Sequence, residues 1–192
     1  MKKSWIAPLA ALILATAPAV QAETKGDDKS ADASFIQQAL KSGQEEVAIA
    51  KVAAEKAQSS EVKQLAQMLA SDHSAVNEQL ALLAQRNGAT PAPRGTDKQS
   101  TEPSPPSTAP GAAPSSPKLD ELGKLTGAEF DKRFLAIIVE GHEKSVELWS
   151  KEAETGANPA AKKLATETLP KIRSHLQQAK SLQQTTEKKQ NR

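Results

Sequence analysis

Four stretches of this chain repeat their apolar residues at helical spacing, with no sustained period-2 alternation of branched or aromatic residues to suggest a strand. The first stretch carries a stripe of Ile36, Leu40, Val47, Ala50 and Ala54. In the second, the stripe is Val62, Leu65, Ala66, Leu69, Val76, Leu80 and Leu83. The third gathers Lys132, Arg133, Glu140, Glu143, Lys144, Glu147 and Lys151 on one arc, and sets Phe134, Leu135, Ile138 and Trp149 opposite. The fourth aligns Ala161, Leu164, Ile172, Ala179 and Leu182. A one-sided apolar stripe at this period marks a helix that buries one face.

The ends of these helices carry their own signals. The first is predicted over about residues 34–58, from Ser34 to Gln58. "QSSEV" interrupts it, with Ser59 or Ser60 as N-cap of the second helix and Glu61 in its first turn. That helix is predicted to end near "RNG", with Gly88 just beyond the last turn. The third opens at "TGAEF", where Thr126 and Glu129 have capping-box spacing, and closes around Thr155–Gly156. The fourth opens with Asn158 as N-cap and Pro159 at the first helical position. Pro170 has no N–H for the carbonyl of Thr166 and predicts a kink. Residues 88–117 hold eight prolines and read as a disordered or extended tether; polyproline-type partner binding is the alternative. Two short-turn hairpins joined by one long Pro-rich crossover make an all-α four-helix bundle, with the connectivity that ferritin-like folds use.

The N-terminus changes the reading of charge and location. Lys2 and Lys3 precede the apolar run "WIAPLAALILATAPAV", and "VQA" has the small residues of a cleavage site, so residues 1–22 read as a signal peptide cut after Ala22. The run is too short and too broken by proline to span a bilayer. The expected organisation is signal peptide 1–22, flexible segment 23–33, bundle 34–184 with the linker at 88–117, and polar tail 185–192. The expected location is the periplasm. The chain has 25 Lys+Arg against 23 Asp+Glu. The first 22 residues hold two of those bases and none of the acids, so the remainder is balanced at 23 of each. That balance gives no sign of a nucleic-acid or anionic-membrane partner. With no cysteine, disulfides, thiol catalysis, thiolate metal sites and lipid attachment at cysteine are excluded.

The chemistry concentrates in the three histidines. His73 falls in the middle of the second stripe, His142 lies opposite the charged arc of the third helix, and His175 sits within the fourth stripe. In the first helix Glu45 points away from the stripe, whereas Glu46 lies at its edge, toward Ala39 and Ala53. Glu46 and His73 are both roughly 20 Å from the first turn along antiparallel helices. His142 and His175 differ in level by about one helical turn, part of which a kink at Pro170 would absorb. Two readings fit: hydrogen-bonded core residues, or ligands of one cation. Uncompensated, each buried polar side chain costs on the order of 1–3 kcal/mol, a cost that shared ligation removes. Asp72, beside His73, reads as a solvated acid with support of that histidine as its alternative. "FDKRF" reads as core plus first-turn charge, with Asp131 favouring the helix N-terminus.

The segments "EEVAIAKVAAEKAQSSEVKQLAQMLASDH", "FDKRF" followed by His142, and "LPKIRSHLQQA" together resemble a family of secreted bacterial ferritin-like proteins of unknown function, often carrying an "outer membrane protein" label. The likeness covers about residues 34–182 apart from the linker. It implies the ferritin-like bundle and a characteristic Glu and His set at Glu46, His73, His142 and His175. Di-iron members of the ferritin-like fold use a Glu-x-x-His on each of two helices. Here the slots three before His73 and His175 hold Ala70 and Ile172, so both bridging carboxylates are missing. Three imidazoles and one carboxylate suit a single divalent Zn, Fe, Mn or Cu ion and argue against ferroxidase chemistry. No phosphate loop, Ser/His/Asp pattern or nucleotide signature is found. Three functions fit the sequence: a metal-binding envelope protein for metal handling or stress, a metal-free helical interaction protein of the periplasm, and a redox enzyme with one metal.

Overall fold

The stripes form an all-helical bundle. In the structure, a computed structural model, residues 25–86 and 116–190 are described, and they form helices with no strand among them. Helix α1 spans Lys25–Lys56, α2 Ser60–Arg86, α3 Pro117–Gly123, α4 Gly127–Thr155 and α5 Pro159–Gln190. The signal peptide, the position of Gly88 and all but the last two residues of the linker lie outside the described residues. Helix α1 begins at Lys25 rather than Ser34, and α5 continues to Gln190. Both extensions are polar, and nothing in them breaks a helix once the adjoining turns are docked. Helix α5 also runs continuously through Pro170.

Several caps follow the sequence, and one does not. Ser59 caps α2, its Oγ accepting from the Val62 N–H at 3.4 Å and hydrogen-bonding Glu61 at 2.7 Å. Asn158 Oδ1 accepts from the N–H groups of Ala160 and Ala161 at 2.9 and 3.1 Å. Thr126 takes the N-cap position of α4 but makes no side-chain cap bond. Gly127 follows it with φ at 62°, a conformation only glycine adopts freely, so the chain enters α4 from a turn rather than through a capping box. The short α3, which apolar periodicity alone does not announce, is capped by Ser116 and begins at Pro117.

Helices α1 and α2 form one antiparallel hairpin, and α4 and α5 form the other. The hairpins meet chiefly through α1 and α4, and less extensively through α2 and α5. Their buried faces make two apolar clusters. One contains Ile49, Leu65, Leu69, Phe134 and Ile138. The other contains Phe35, Leu80, Trp149, Leu164 and Ile172, with Phe35 and Trp149 edge to face at 5.1 Å.

Each hairpin also clasps the turn of the other. Asp131, one turn into α4, is buried, and its two oxygens accept the backbone N–H groups of Gln58 and Ser59 at 2.9 and 2.8 Å. The "FDKRF" acid therefore serves the α1–α2 turn rather than its own helix. Asp32 of α1, also buried, accepts the N–H of Ala157 in the α4–α5 turn at 3.0 Å. Both acids stand three residues before a buried phenylalanine, Asp32 before Phe35 and Asp131 before Phe134. The second clasp differs in having Glu152 beside it, buried, with Oε1 lacking a partner. Burial, the charge of Asp32 and a hydrogen bond shared with it push Glu152 up to about 7. At the same distance before its turn, the first hairpin has the fully buried Ala53.

Two outcomes follow from the clasps. Asp131→Ala should cost about 2–4 kcal/mol in urea unfolding, since it strips two charge-assisted bonds from a buried turn, and Asp131→Asn should cost less. Glu152 has a folded value above its unfolded value of 4.5, so its stabilising contribution is full below that value and lost as pH rises through about 7. Glu152→Gln should therefore gain on the wild type in unfolding free energy between pH 5 and pH 8.

Candidate metal centre

Between the two apolar clusters lies one polar layer, to which each long helix contributes one residue. Glu46 of α1 falls between Ala39 and Ile49, and His73 of α2 between Leu69 and Leu80. His142 of α4 falls between Ile138 and Trp149, and His175 of α5 between Ile172 and Ala179. The structure thus brings all four residues singled out in the sequence to one level. Glu45, the neighbouring acid, instead faces α3 and pairs with Lys118 at 3.4 Å. Gly43, one turn before Glu46, leaves room for the Asn77 side chain of α2: a Cβ there would strike its oxygen.

The three imidazoles form a near-equilateral triangle, with ring centroids 5.4, 5.5 and 5.6 Å apart. One ring nitrogen from each lies within 4.8 Å of the others. His142 has no exposed surface, His175 is 2 % exposed, and the side chains of His73 and Glu46 are 13 % and 11 % exposed. His73 Nε2, His142 Nε2, His175 Nδ1 and Glu46 Oε1 are all buried without a hydrogen-bond partner.

The outer nitrogens of two rings explain which nitrogen is left over. His142 Nδ1 stands 3.1 Å from the carbonyl oxygen of Ile138, one turn earlier on α4. A carbonyl only accepts, so Nδ1 carries the hydrogen and Nε2 keeps its lone pair. His175 Nε2 stands 3.0 Å from Asp72 Oδ2, which leaves the lone pair on Nδ1. Glu46 Oε1 lies 3.0 Å from His142 Nδ1 and 3.7 Å from His73 Nε2. The first contact is short but poorly aligned, because the Nδ1 hydrogen is directed at Ile138. The second is beyond hydrogen-bond length. Both are close enough for the carboxylate charge to be felt by the two rings.

The acid–base character follows from burial. Desolvation pulls His73 below its ordinary value and outweighs the nearby Glu46 charge. Burial, reinforced by His142 and His73, lowers His175 to about 4 against the pull of Asp72. Burial alone would raise Glu46, but its close approach to the His142 ring and the charge the three rings can carry hold it below the usual carboxylate range. Neutral imidazoles beside an ionised carboxylate are the protonation states that bind a cation. A tetrahedral ion with bonds of about 2.0–2.1 Å needs nitrogens about 3.3 Å apart and ring centroids about 5.2 Å apart. The triangle fits that need after small side-chain movements. Beside it a cavity of about 20 Å³, lined by Glu46, Asp72, His73, Asn77, Lys171 and His175 among others, has room for one water or ion.

Asp72, read from the sequence as a solvated acid with support of His73 as the alternative, supports a different histidine. It serves His175 on the opposite hairpin rather than its neighbour His73, and its other oxygen pairs with Lys171 at 3.0 Å. Nothing in the spacing along α2 and α5 signals that contact, because it depends on how the two hairpins dock.

A family model described as a domain of unknown function, DUF4142, matches residues 15–182. The chain belongs to the DUF4142 family. No curated protein is significantly similar to it. Among solved structures, this DUF4142 chain resembles a DUF305 fragment from Deinococcus radiodurans, with a TM-score of 0.64 and 18 % identity over 81 % of this chain and 96 % of that one. A DUF305 protein from Streptomyces coelicolor, described as a candidate secreted protein, matches with a TM-score of 0.64 and 22 % identity over 82 % and 93 %. CopM in its Cu(II)-bound form matches with a TM-score of 0.62 and 22 % identity over 80 % and 96 %, and CopM in its Ag-bound form is similar at 21 % identity. At these identities the likeness is one of fold. Among the described residues, no helix is long and apolar enough to cross a membrane.

The histidine layer makes the metal-free DUF4142 protein sensitive to acid. His175 has a folded value below its unfolded value of 6.5, so its contribution is complete above 6.5 and lost as pH falls toward about 4. His73 shifts in the same direction. Unfolding free energy of metal-free protein should therefore drop between pH 6.5 and pH 4, by on the order of 3 kcal/mol from His175. The Glu152 effect has the opposite slope over an overlapping range, so the acid loss should appear steeper in Glu152→Gln. Urea titrations across that range measure both.

Proposed function

We propose that this DUF4142 chain is an exported, ferritin-like helical bundle that holds one divalent transition-metal ion at Glu46, His73, His142 and His175. In this reading it serves metal handling or stress protection in the periplasm. The observation that carries the reading is the set of three buried ring nitrogens, from three helices, that face one another without any hydrogen-bond partner. A protein core leaves such groups unsatisfied rarely, since each costs about 1–3 kcal/mol, and a cation at their centre would satisfy all three. The Cu(II)-bound and Ag-bound forms of CopM, a protein of similar fold, support the class of ligand. Imidazole with carboxylate suits Cu, Zn, Fe and Mn, and affinity for such a site peaks at Cu(II) among the divalent ions.

The missing Glu-x-x-His carboxylates weigh against paired-iron chemistry. Ala70 is partly buried and Ile172 fully buried, so neither position offers an oxygen to bridge two ions. Three imidazoles whose nitrogens come within 4.8 Å of one another, with the Glu46 carboxylate beside His73 and His142, suit a single ion.

The test is metal analysis and thermal melting of protein sent to the periplasm and purified without a His tag or chelator. Wild type should carry about one ion, and added Zn(II) or Cu(II) at a hundredfold excess over Kd should stabilise it by about 2.7 kcal/mol. The gain should shrink below about pH 6.5 as protons compete for the rings. His142→Ala should abolish most of it. Glu143→Ala, one residue along but exposed and paired with Lys180, should keep it. Equal metal response in both variants, or no response in wild type to Zn, Mn, Fe or Cu, would turn the histidines into plain core residues.

A further inference from the structure

Of the three rings, His175 is fixed in an unusual way. His142 is oriented by a carbonyl of its own helix, a contact that any folded α4 supplies. The outer nitrogen of His175 instead meets Asp72 on α2, across the junction between the two hairpins. Asp72 divides its oxygens between two residues of α5: Oδ2 stands 3.0 Å from His175 Nε2, and Oδ1 stands 3.0 Å from Lys171 Nζ. His175 is almost fully buried, whereas Asp72 is 26 % and Lys171 51 % exposed, so the three form a chain from solvent to the histidine layer.

We propose that Asp72 is a positioning residue for the metal centre: it fixes His175 in the Nε2–H tautomer so that the Nδ1 lone pair faces His73 and His142, with Lys171 holding Asp72 in place. The inference rests on the metal-binding reading above and deepens it. A carboxylate accepts hydrogen bonds and cannot donate, so a proton on His175 Nδ1 would face two lone pairs against each other at Nε2. Carboxylate partners of this kind fix the ring and raise its basicity toward a metal, and removing one typically weakens binding 10- to 100-fold. Asp72 also sits next to His73 in α2. One short segment of α2 therefore contributes one imidazole and orients a second from the other hairpin, which ties α2–α5 docking to the geometry of the centre. Lys171 keeps Asp72 from swinging to solvent, as a partly exposed acid otherwise would.

The experiment separates orientation from metal binding. Histidine nitrogens of uniformly ¹⁵N-labelled, metal-free full-length protein are read by long-range ¹H–¹⁵N NMR at pH 7.5. Wild-type His175 should show a protonated Nε2 and an unprotonated Nδ1. Asp72→Ala should mix the tautomers, and Asp72→Asn, whose amide oxygen still accepts, should restore the wild-type pattern. Zn(II) affinity, measured by competition with a chromophoric chelator, should fall 10- to 100-fold in Asp72→Ala, recover largely in Asp72→Asn and fall by a smaller factor in Lys171→Ala. A wild-type His175 protonated on Nδ1 overturns the proposal, as does wild-type Zn(II) affinity in a folded Asp72→Ala. Wild-type protein that binds no metal but shows the Nε2–H tautomer, lost in Asp72→Ala, supports the orienting role and defeats the metal-binding reading instead.

Discussion

A layer of polar groups across the middle of an apolar core is the constraint on which the rest of this bundle depends. Glu46, His73, His142 and His175 interrupt the packing at the same level in all four long helices and divide it into two clusters. Apolar side chains at those positions would knit the clusters into one continuous core with no desolvation cost. The fold instead buries four hydrogen-bonding atoms without partners. It tolerates them because Ile49, Leu69, Phe134 and Ile138 on one side, and Phe35, Leu80, Trp149 and Ile172 on the other, hold the helices in register independently of the layer.

Register between the hairpins rests on polar contacts as much as on packing. Asp131 grips the first turn and Asp32 the second, each reaching from the opposite hairpin to backbone N–H groups that would otherwise lie unpaired at a helix junction. These clasps fix the two hairpins along the bundle axis. Sliding either hairpin by one helical turn would carry its residues about 5.4 Å past the others and pull the histidine layer apart. The clasps lie near the two ends of the bundle and the layer in the middle, so docking at the ends sets geometry at the centre. Glu152 makes the second clasp unequal to the first by placing a titratable carboxyl beside Asp32, where the first hairpin has only Ala53.

The chemistry of the layer is narrower than the fold allows. Helical bundles hold paired metals when two of their helices bring a carboxylate one turn before a histidine. Here those slots are Ala70 and Ile172, and the acids near the centre have other tasks: Glu46 faces His73 and His142, and Asp72 faces His175 from outside. The result is a compact, nitrogen-rich centre beside a cavity that holds little more than a single water or ion. Such a centre matches the proposed holding of a single ion.

The sequence by itself determined the helices, their inward faces and the residues that share them. Periodicity and capping are local properties, carried by residues within a few turns of one another, so Ser59, Asn158 and the phase of all three histidines were legible without a structure. The short α3 and the early start of α1 were not, because their stability comes from contacts rather than from a stripe. The tertiary structure alone decided that Asp131 and Asp32 serve turns far away in sequence, and that Asp72 belongs to His175 and not to its neighbour His73. A helical wheel gives the direction in which a side chain points, not the partner it meets. The partner depends on the rotation and axial offset between hairpins, which packing of the whole core sets.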